Sequence, residues 1–310
     1  MPLHPQAQAL CDLVNAMGEV VPSNERLQEI RDGFAGLVAM TAGESEAVFA
    51  VEDVDADGVP ARVYRPSPDP DRPVIVYFHG GGWTIGAVDQ YDLVTRQIAN
   101  MTDAIVVSVD YRLAPEHPFP AAVDDCWRAL VWTAKNASSF GGDTSRLAVM
   151  GDSAGGNLAA VCALLARDAG TPEIAMQVLV YPVVDCDFGT ASYRENAEGY
   201  FLTAADMHWF FSCYTGDGDV RTDWKVSPLR APDLRGVAPA VVVTGEFDPL
   251  RDEGRAYARA LGAAGVPVVE HRYDGMIHGF FGLSAAFDAS RDAMQRITTD
   301  LAQAFGTLSN

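Results

Sequence analysis

The sequence predicts an α/β protein with a mostly parallel sheet and helices on both faces. Apolar runs typical of buried strands alternate along the chain with patterns typical of helices. Most of the later runs are continuously apolar, as expected for parallel strands that are covered on both faces. A chain of 310 residues, of which 48% are hydrophobic, is long enough to bury a large core. We therefore expect an α/β core that carries an insertion.

Eight segments have the length and composition of strands. The first two, 47–54 and 61–65, flank the turn Asp55-Ala-Asp-Gly58 and are typical of a hairpin. The six segments that follow are 74–79, 104–111, 147–151, 177–182, 240–246 and 268–273. Helical spacing is found in residues 1–40 and in five later segments: 94–101, 121–136, 157–169, 253–264 and 289–305.

Residues 185–225 interrupt this alternation of strands and helices. Nine of these 41 residues are aromatic, whereas aromatic residues make up 9% of the whole chain. This density predicts an inserted helical cap whose rings line a ligand pocket, although packing of the insertion onto the core would also explain it. The residues expected to line the pocket are Trp83, Tyr200, Phe201, Trp209 and Phe210.

Charge and cysteine content exclude several classes of function. Lys and Arg number 22 against 42 Asp and Glu, so the net charge is −20. Nucleic acids and anionic lipid surfaces require basic residues, and neither is an expected partner. The five cysteines contain no CxxC pair, which argues against a zinc site or a disulfide framework. No signal peptide or membrane-spanning apolar run is present, so we expect a cytoplasmic protein.

The strongest chemical signal is Gly151-Asp-Ser-Ala-Gly-Gly156, which fits the pattern G-x-S-x-G around Ser153. An apolar strand precedes it and a helical pattern follows, which is the context of a nucleophile elbow. The serine hydroxyl of such a turn lies above a helix N-terminus, where N–H groups favour a developing negative charge. A tight structural turn would also fit the pattern, but the context favours Ser153 as a nucleophile.

A second signal is His79-Gly-Gly-Gly-Trp83, at the end of the predicted strand 74–79. Successive glycines leave backbone N–H groups free to point at a bound atom, which is how an oxyanion hole is built. A dinucleotide-binding loop is the alternative, but the spacing from Gly80 to Gly86 does not fit G-x-G-x-x-G. We expect His79 to order the loop by hydrogen bonding rather than to act as an acid or base.

A nucleophilic serine needs a base, and His278 is the histidine best placed for this role. It follows the last predicted strand, and sites of α/β proteins gather at the carboxyl ends of strands. The other histidines lie in less suitable positions, near the N-terminus, in a Pro-rich loop, in the insertion or within a strand: His4, His117, His208 and His271.

The acid that orients the base should also follow a strand. Asp248 comes directly after the predicted strand 240–246, with Glu246 and Asp252 as rivals. We expect Asp252 to cap the helix that follows instead. The resulting order, serine then aspartate then histidine, agrees with that of α/β-hydrolases.

Together these residues resemble the bacterial hormone-sensitive lipase family of α/β-hydrolase esterases. The matching segments fall in family order at 79–83, 111–120, 151–156, 181–182, 227–229, 248–250 and 278–280. The Gly-Asp-Ser-Ala-Gly-Gly form resembles one of the family's two main subgroups. No catalytic position departs from the family pattern.

The resemblance implies an α/β-hydrolase core with an eight-stranded sheet over residues 46–184 and 226–310. It also implies a helical cap made of residues 1–45 and 185–225. Ser153 would be the nucleophile, His278 the base and Asp248 the acid. The backbone N–H groups of the oxyanion hole are expected from four residues: Gly80, Gly81, Gly82 and Ala154.

The expected function is hydrolysis of short- to medium-chain carboxylic esters through an acyl-enzyme, with no metal or cofactor. The expected partner is a small-molecule ester, and the resemblance also points to a homodimer. Two alternatives remain: a non-catalytic binding protein on the same fold, and a hydrolase of amides, thioesters or carbamates.

Overall fold

The computed structural model describes residues 2–18, 21–41, 43–216 and 218–307. All eight segments predicted as strands form one sheet. Its strands are β1 Ala50–Asp55, β2 Pro60–Arg65, β3 Arg72–Phe78, β4 Ile105–Val109, β5 Gly142–Asp152, β6 Met176–Val180, β7 Ala240–Phe247 and β8 Val268–Ile277. The α-helices of the described residues are α1 Pro5–Met17, α2 Leu27–Thr41, α3 Asp92–Thr102, α4 Ala121–Asn136, α5 Ala154–Ala169, α6 Ala191–Glu195, α7 Ala204–Thr215, α8 Arg251–Ala263 and α9 Asp288–Ala304.

The sheet has the strand order β1-β2-β4-β3-β5-β6-β7-β8. Strand β2 pairs antiparallel with β1 and with β4, and every other neighbouring pair is parallel. The predicted hairpin of β1 and β2 is confirmed, and the Gly58 N–H donates to the Asp55 carboxylate in its turn. Because parallel strands end at the same edge, the loops after β3, β5, β7 and β8 meet there.

Both faces of the sheet are covered by helices, as the continuous apolar strands predict. In β3, Val74, Val76 and Phe78 belong to the core cluster on one face, whereas Ile75 and Tyr77 belong to that on the other. The first cluster includes residues of α4, α5 and α8, and the second includes residues of α1, α3 and α9. The inner strands β3, β4 and β6 are therefore buried on both sides, which explains their lack of polar alternation.

Two strands are longer than their apolar runs. Strand β5 begins at Gly142 instead of 147, and β8 continues to Ile277 instead of ending at 273. Strand β8 lies at the edge of the sheet, and most of its first seven residues are half-buried or exposed and many are polar. A weak apolar signal is expected for such a strand. The extension places His278 directly after the strand.

The N-terminal helices and the insertion contact each other and the core. The Trp209 indole N–H in α7 donates to Asn24 Oδ1 at 3.1 Å. In α2, the Arg31 guanidinium makes two bonds to the Glu116 carboxylate at 2.7 and 2.8 Å and donates to the Thr84 carbonyl at 3.0 Å. Among the described residues, every helix is too short or too polar to cross a lipid bilayer.

Candidate active site

Ser153 lies at a sharp turn between β5 and α5. Its backbone has φ 55° and ψ −119°, a left-handed conformation that a residue with a side chain adopts only under strain. The Ser153 N–H donates to the Val180 carbonyl at 2.9 Å, which holds the turn against β6. A Cβ on Gly155 would come within 1.9 Å of the Phe78 carbonyl oxygen, so the motif needs glycine there.

The structure brings Ser153, His278 and Asp248 together in one line of hydrogen bonds. His278 Nε2 lies 2.9 Å from Ser153 Oγ, although 125 residues separate them in the chain. His278 Nδ1 lies 2.8 Å from Asp248 Oδ2. These contacts are within the range at which an imidazole can accept a proton from a hydroxyl.

Each member of this line is positioned by its strand and its neighbours. Asp248 follows β7, is fully buried, and accepts the Leu250 N–H at 2.8 Å through its other oxygen. His278 follows β8, and its ring centroid lies 4.4 Å from that of Tyr181. Only 6% of His278 is exposed, so few other partners compete for its nitrogens.

The two rivals of Asp248 lie elsewhere. Glu246 accepts the Gly275 N–H at 2.7 Å. The expectation that Asp252 caps α8 is wrong, because Asp252 lies within the first turn of that helix. Its carboxylate accepts the Ser192 N–H of the insertion at 2.8 Å and the Arg251 guanidinium at 2.9 Å.

In the glycine loop after β3, one backbone N–H group is hydrogen-bonded and two are not. The Gly80 N–H donates to Asp152 Oδ1 at 2.9 Å, so it is already occupied and the expectation of Gly80 as an oxyanion donor is not supported. In the part of the chain that the structure describes, the N–H groups of Gly81, Gly82 and Ala154 have no acceptor. Gly81 and Gly82 both line the cavity above Ser153.

His79 is fully buried beside this loop. Its Nδ1 lies 2.7 Å from the Gly80 carbonyl oxygen, and its ring stacks on Tyr111 at 4.4 Å between centroids. Burial lowers the pKa of His79, which favours the neutral ring. These contacts fit the expected role of ordering the loop.

Sequence reasoning missed one group at the site, the carboxylate of Asp152. It is 3% exposed and accepts bonds from the Tyr77 hydroxyl at 2.7 Å and from the Gly80 N–H at 2.9 Å. Burial raises the pKa of Asp152 to about 6, and the bonds from Tyr77 and Gly80 oppose that rise. An acidic residue inside the G-x-S-x-G motif was the signal available, but its partners lie more than 70 residues away in the chain.

A cavity of about 740 Å³ lies over Ser153 and His278. It is lined mainly by apolar side chains of the N-terminal helices and of the insertion. Those from α1 and α2 include Val14, Ile30, Phe34 and Leu37, and those from the insertion include Tyr200, Phe201, Trp209 and Phe210. Four of the nine aromatic residues of the insertion thus line the cavity as predicted, and the other five pack in or against the core.

Trp83 corrects the predicted pocket. It is fully buried in the core cluster and does not belong to the lining of the cavity. Its ring stacks flat on Tyr214, with 4.1 Å between centroids and 4° between planes. Packing against α7 therefore decides the direction of this side chain, and its neighbour Gly82 faces the cavity instead.

Two glycines of the site lie directly under aromatic rings. A Cβ on Gly82 would come within 2.2 Å of the Phe210 ring, and a Cβ on Gly279 within 2.7 Å of the Phe201 ring. Both glycines have positive φ, 56° and 82°. Residues 185–225 therefore contact the glycine loop after β3 and the loop after β8 through the packing of aromatic rings on glycine.

Comparison with known proteins shows which family this chain resembles. The family model described as alpha/beta hydrolase fold matches residues 75–282. Carboxylesterase NlhH of Mycobacterium tuberculosis is 46% identical over 242 residues, which cover 77% of this chain and 76% of that protein. The arylesterase of Saccharolobus solfataricus is 37% identical over 289 residues, covering 91% and 93% of the two chains.

Solved structures agree in fold over nearly the whole chain. The esterase of the archaeon Pyrobaculum calidifontis has a TM-score of 0.92 and 40% identity, covering 98% of this chain and 99% of its own. An ester-hydrolase from the metagenome of Lake Arreo, complexed with a derivative of bipyridine phosphonate, has a TM-score of 0.93 and 40% identity over 98% and 100%. The resemblance to the hormone-sensitive lipase group is thereby confirmed. The chain belongs to the alpha/beta hydrolase family, among its serine carboxylic-ester hydrolases.

Proposed function

We propose that this protein hydrolyses carboxylic esters with Ser153 as nucleophile, His278 as base and Asp248 as the orienting acid. The observation that carries the proposal is the line of hydrogen bonds from Asp248 Oδ2 through both nitrogens of His278 to Ser153 Oγ, at 2.8 and 2.9 Å. A serine hydroxyl is a weak nucleophile until an adjacent base removes its proton. This geometry supplies that base.

In the first half of the reaction Ser153 Oγ attacks the ester carbonyl carbon while His278 Nε2 takes the hydroxyl proton. Asp248 keeps the other ring proton on Nδ1 and stabilises the imidazolium that forms. The N–H groups of Gly81, Gly82 and Ala154 donate to the tetrahedral oxyanion. His278 then gives its proton to the leaving alcohol oxygen, the C–O bond breaks, and the acyl group stays on Ser153.

The second half repeats these steps with water. His278 Nε2 takes a proton from the water as its oxygen attacks the acyl carbon. When the second tetrahedral intermediate collapses, Ser153 Oγ leaves and recovers its proton from His278. The products are a carboxylic acid and the original enzyme.

The cavity favours uncharged esters with a short to medium apolar acyl chain. Its lining is mainly aliphatic and aromatic, which favours burial of hydrocarbon. Glu198 also lines it, and its negative charge disfavours anionic substrates. The predicted division into a core and a cap of residues 1–45 and 185–225 is part of the proposal.

Two further parts of the proposal concern the state of the protein. The resemblance to the lipase family supports a homodimer, which light scattering of the purified protein would test. All five cysteines are free thiols, which supports a reducing compartment and hence a cytoplasmic location.

The decisive variant is Ser153→Ala. Hydrolysis of p-nitrophenyl butyrate should fall by about 10⁶ in kcat, the loss typical of removing the serine of such a triad. Ser139→Ala, an exposed serine at the opposite end of β5, is the matched control and should keep full activity. A fluorophosphonate should label wild type and the control but not Ser153→Ala. Hydrolysis left largely intact in Ser153→Ala would refute the assignment.

Substrate class is tested by a series of matched compounds. We expect activity on esters from acetate to octanoate and much weaker activity on the matching amides. Comparable turnover of amides or thioesters would favour the alternative hydrolase. Wild type that binds esters without hydrolysing them, and that no phosphonate labels, would favour the binding protein.

A further inference from the structure

The carboxylate of Asp152 collects three donors in the space between the nucleophile and the glycine loop. Oδ1 accepts from the Tyr77 hydroxyl at 2.7 Å and from the Gly80 N–H at 2.9 Å. Oδ2 lies 3.4 Å from the Tyr91 hydroxyl. The side chain is 3% exposed, so water cannot easily replace these partners. The ester-hydrolysis steps use none of them.

The hydrogen bond from Gly80 to Asp152 connects the two chain segments that supply the oxyanion hole. One half is Ala154, two residues after Asp152 in the chain. The other half is Gly81 and Gly82, which directly follow Gly80. The Asp152 carboxylate therefore links the segment that leads into Ala154 to the residue that precedes Gly81 and Gly82.

The fit between Asp152 and Gly80 is close. A Cβ on Gly80 would lie 2.4 Å from Asp152 Oδ2, so only glycine lets the carboxylate reach this backbone. The rest of the loop is held at other atoms. The His79 carbonyl accepts from the Tyr111 hydroxyl at 2.7 Å, and the Gly81 carbonyl accepts from the N–H groups of Thr84 and Ile85 at 3.0 and 2.9 Å.

The N–H of Gly80 has no other acceptor in the described chain. The same peptide unit contains the His79 carbonyl, which the Tyr111 hydroxyl holds at 2.7 Å. Removing Asp152 would leave the unit held at this carbonyl alone, so that it could tilt about that bond. Rotation of the Gly80 peptide changes the direction of the next N–H, that of Gly81. An oxyanion donor works only when it points at the position that the oxyanion will occupy.

We propose that Asp152 is a positioning residue for ester hydrolysis, whose acceptor oxygen holds the Gly80 peptide and so aims the Gly81 and Gly82 N–H groups at the oxyanion above Ser153. The inference rests on the proposed function. It assigns to the residue before the nucleophile a role in transition-state stabilisation rather than in substrate binding.

The test compares Asp152→Ala with Asp152→Asn in the full chain at pH 8. Alanine removes the acceptor, and kcat on p-nitrophenyl butyrate should fall by about 10², with KM within threefold of wild type. Asparagine keeps a carbonyl oxygen for the Gly80 N–H, so kcat should recover to within tenfold of wild type. Tyr77→Phe is the matched control: it deletes another partner of the same oxygen, leaves Gly80 bonded, and should keep kcat within threefold.

A second measurement distinguishes misplaced oxyanion donors from a general distortion of the active site. A trifluoromethyl ketone forms a tetrahedral adduct with the serine, whose oxyanion occupies the hole, whereas the matching methyl ketone is a poor electrophile and reports binding in the cavity. In Asp152→Ala the inhibition constant of the trifluoromethyl ketone should rise by the same factor as kcat/KM falls. That of the methyl ketone should stay within threefold. A purely structural role would weaken both ketones together.

Wild-type kcat in Asp152→Ala, equal losses in the alanine and asparagine variants, or equal weakening of both ketones would each overturn the inference. Should Asp152→Ala not fold, Asp152→Ser is used, whose hydroxyl is too short to reach Gly80, and the same loss is expected. Wild type without esterase activity would instead refute the proposed function, so the two failures are distinguishable.

Discussion

The carboxyl edge of the sheet and the cap enclose the same cavity by different means. At the edge, the chemical groups are backbone N–H groups and side chains directly after strands, such as Asp248 after β7 and His278 after β8. In the cap, the lining consists of side chains that pack on distant segments, such as Phe210 on Gly82 and Phe201 on Gly279. The edge is built around hydrogen bonds of 2.8 to 2.9 Å, and the cap around the packing of aromatic rings.

Substitutions at the edge should therefore affect the chemical steps, and substitutions in the cap should affect the choice of substrate. Hydrogen-bonded groups at the strand ends must be aligned for the transition state, so their loss should appear in kcat. Apolar lining contacts substrate and transition state about equally, so its loss should appear in chain-length preference.

Asp248→Asn should produce the largest of the four effects considered next. The asparagine amide would present a donor to His278 and favour the wrong ring tautomer, and kcat should fall by about 10⁴. Steady-state hydrolysis of p-nitrophenyl butyrate measures it. Asp252→Asn is the control, since Asp252 contacts Ser192 and Arg251 rather than His278. A loss below tenfold in Asp248→Asn would show that the sheet edge is not organised as described.

Gly82→Ala tests whether the glycine loop of the edge and the Phe210 ring of the cap affect activity independently. The new methyl group would overlap the Phe210 ring, and a residue with a side chain is strained at φ 56°. We expect kcat/KM to fall by about 10² to 10³, the loss typical of one misplaced oxyanion donor. The double variant Gly82→Ala with Phe210→Ala should recover part of this loss, since it removes the overlap but not the strain. Strictly additive losses would mean that ring and loop act independently.

Phe210→Ala should change substrate preference more than chemistry. Loss of a large apolar surface should lower kcat/KM for an octanoate ester about tenfold, because part of the acyl chain loses its contact. The value for an acetate ester should stay within threefold. Phe210→Leu keeps apolar bulk and serves as the control. An equal loss of kcat/KM for every acyl chain length would show that Phe210 supports the chemical steps, as the edge does, rather than the choice of substrate.

Asp152→Asn should change the pH dependence of stability. Burial raises the pKa of Asp152 to about 6, above its ordinary 3.8, against the opposing bonds from Tyr77, Gly80 and Tyr91 and the charge of His278. The folded state therefore favours the protonated acid, so this stabilisation is complete below pH 3.8 and is lost as pH rises through 6. The full loss is about 3 kcal/mol, of which about half falls between pH 5 and pH 8.

Asparagine does not ionise, so the Asp152→Asn variant does not lose this stability as the pH rises. The Tm of Asp152→Asn relative to wild type should therefore rise by a few degrees, about 2 to 4 °C, from pH 5 to pH 8. Asp252→Asn, whose carboxylate is only partly buried and has a lowered pKa, should show no such rise. A constant difference in Tm would mean that the folded protein does not penalise the charge of Asp152.

Much of the sheet edge could be predicted from the sequence, and less of the cap. Strands β3, β4, β6 and β7 are mostly apolar runs, and the nucleophile motif lies between a strand and a helix, so Ser153 could be placed from local signals. The prediction of Trp83 as a lining residue was wrong, because its ring direction depends on Tyr214, more than a hundred residues away. No local pattern contains that information.

The glycine loop shows the same limit at finer scale. Three successive glycines predicted an oxyanion loop, but not which N–H groups are free. That depends on Asp152, whose carboxylate meets Gly80 across 72 residues and occupies its N–H. Likewise Asp252 looks like a helix cap in sequence, and only the insertion that folds back onto α8 gives it Ser192 as a partner.

The class of fold, the strand ends that carry the reactive groups and the order of serine, aspartate and histidine could all be predicted from the sequence. These follow from local periodicity and from the rule that parallel strands end at one edge. Three properties required the folded structure: which N–H groups remain unbonded, which rings face the cavity and how the cap contacts the loops. Those properties depend on contacts between residues far apart in the chain, where packing and hydrogen-bond partners, not local preference, set the direction of each group.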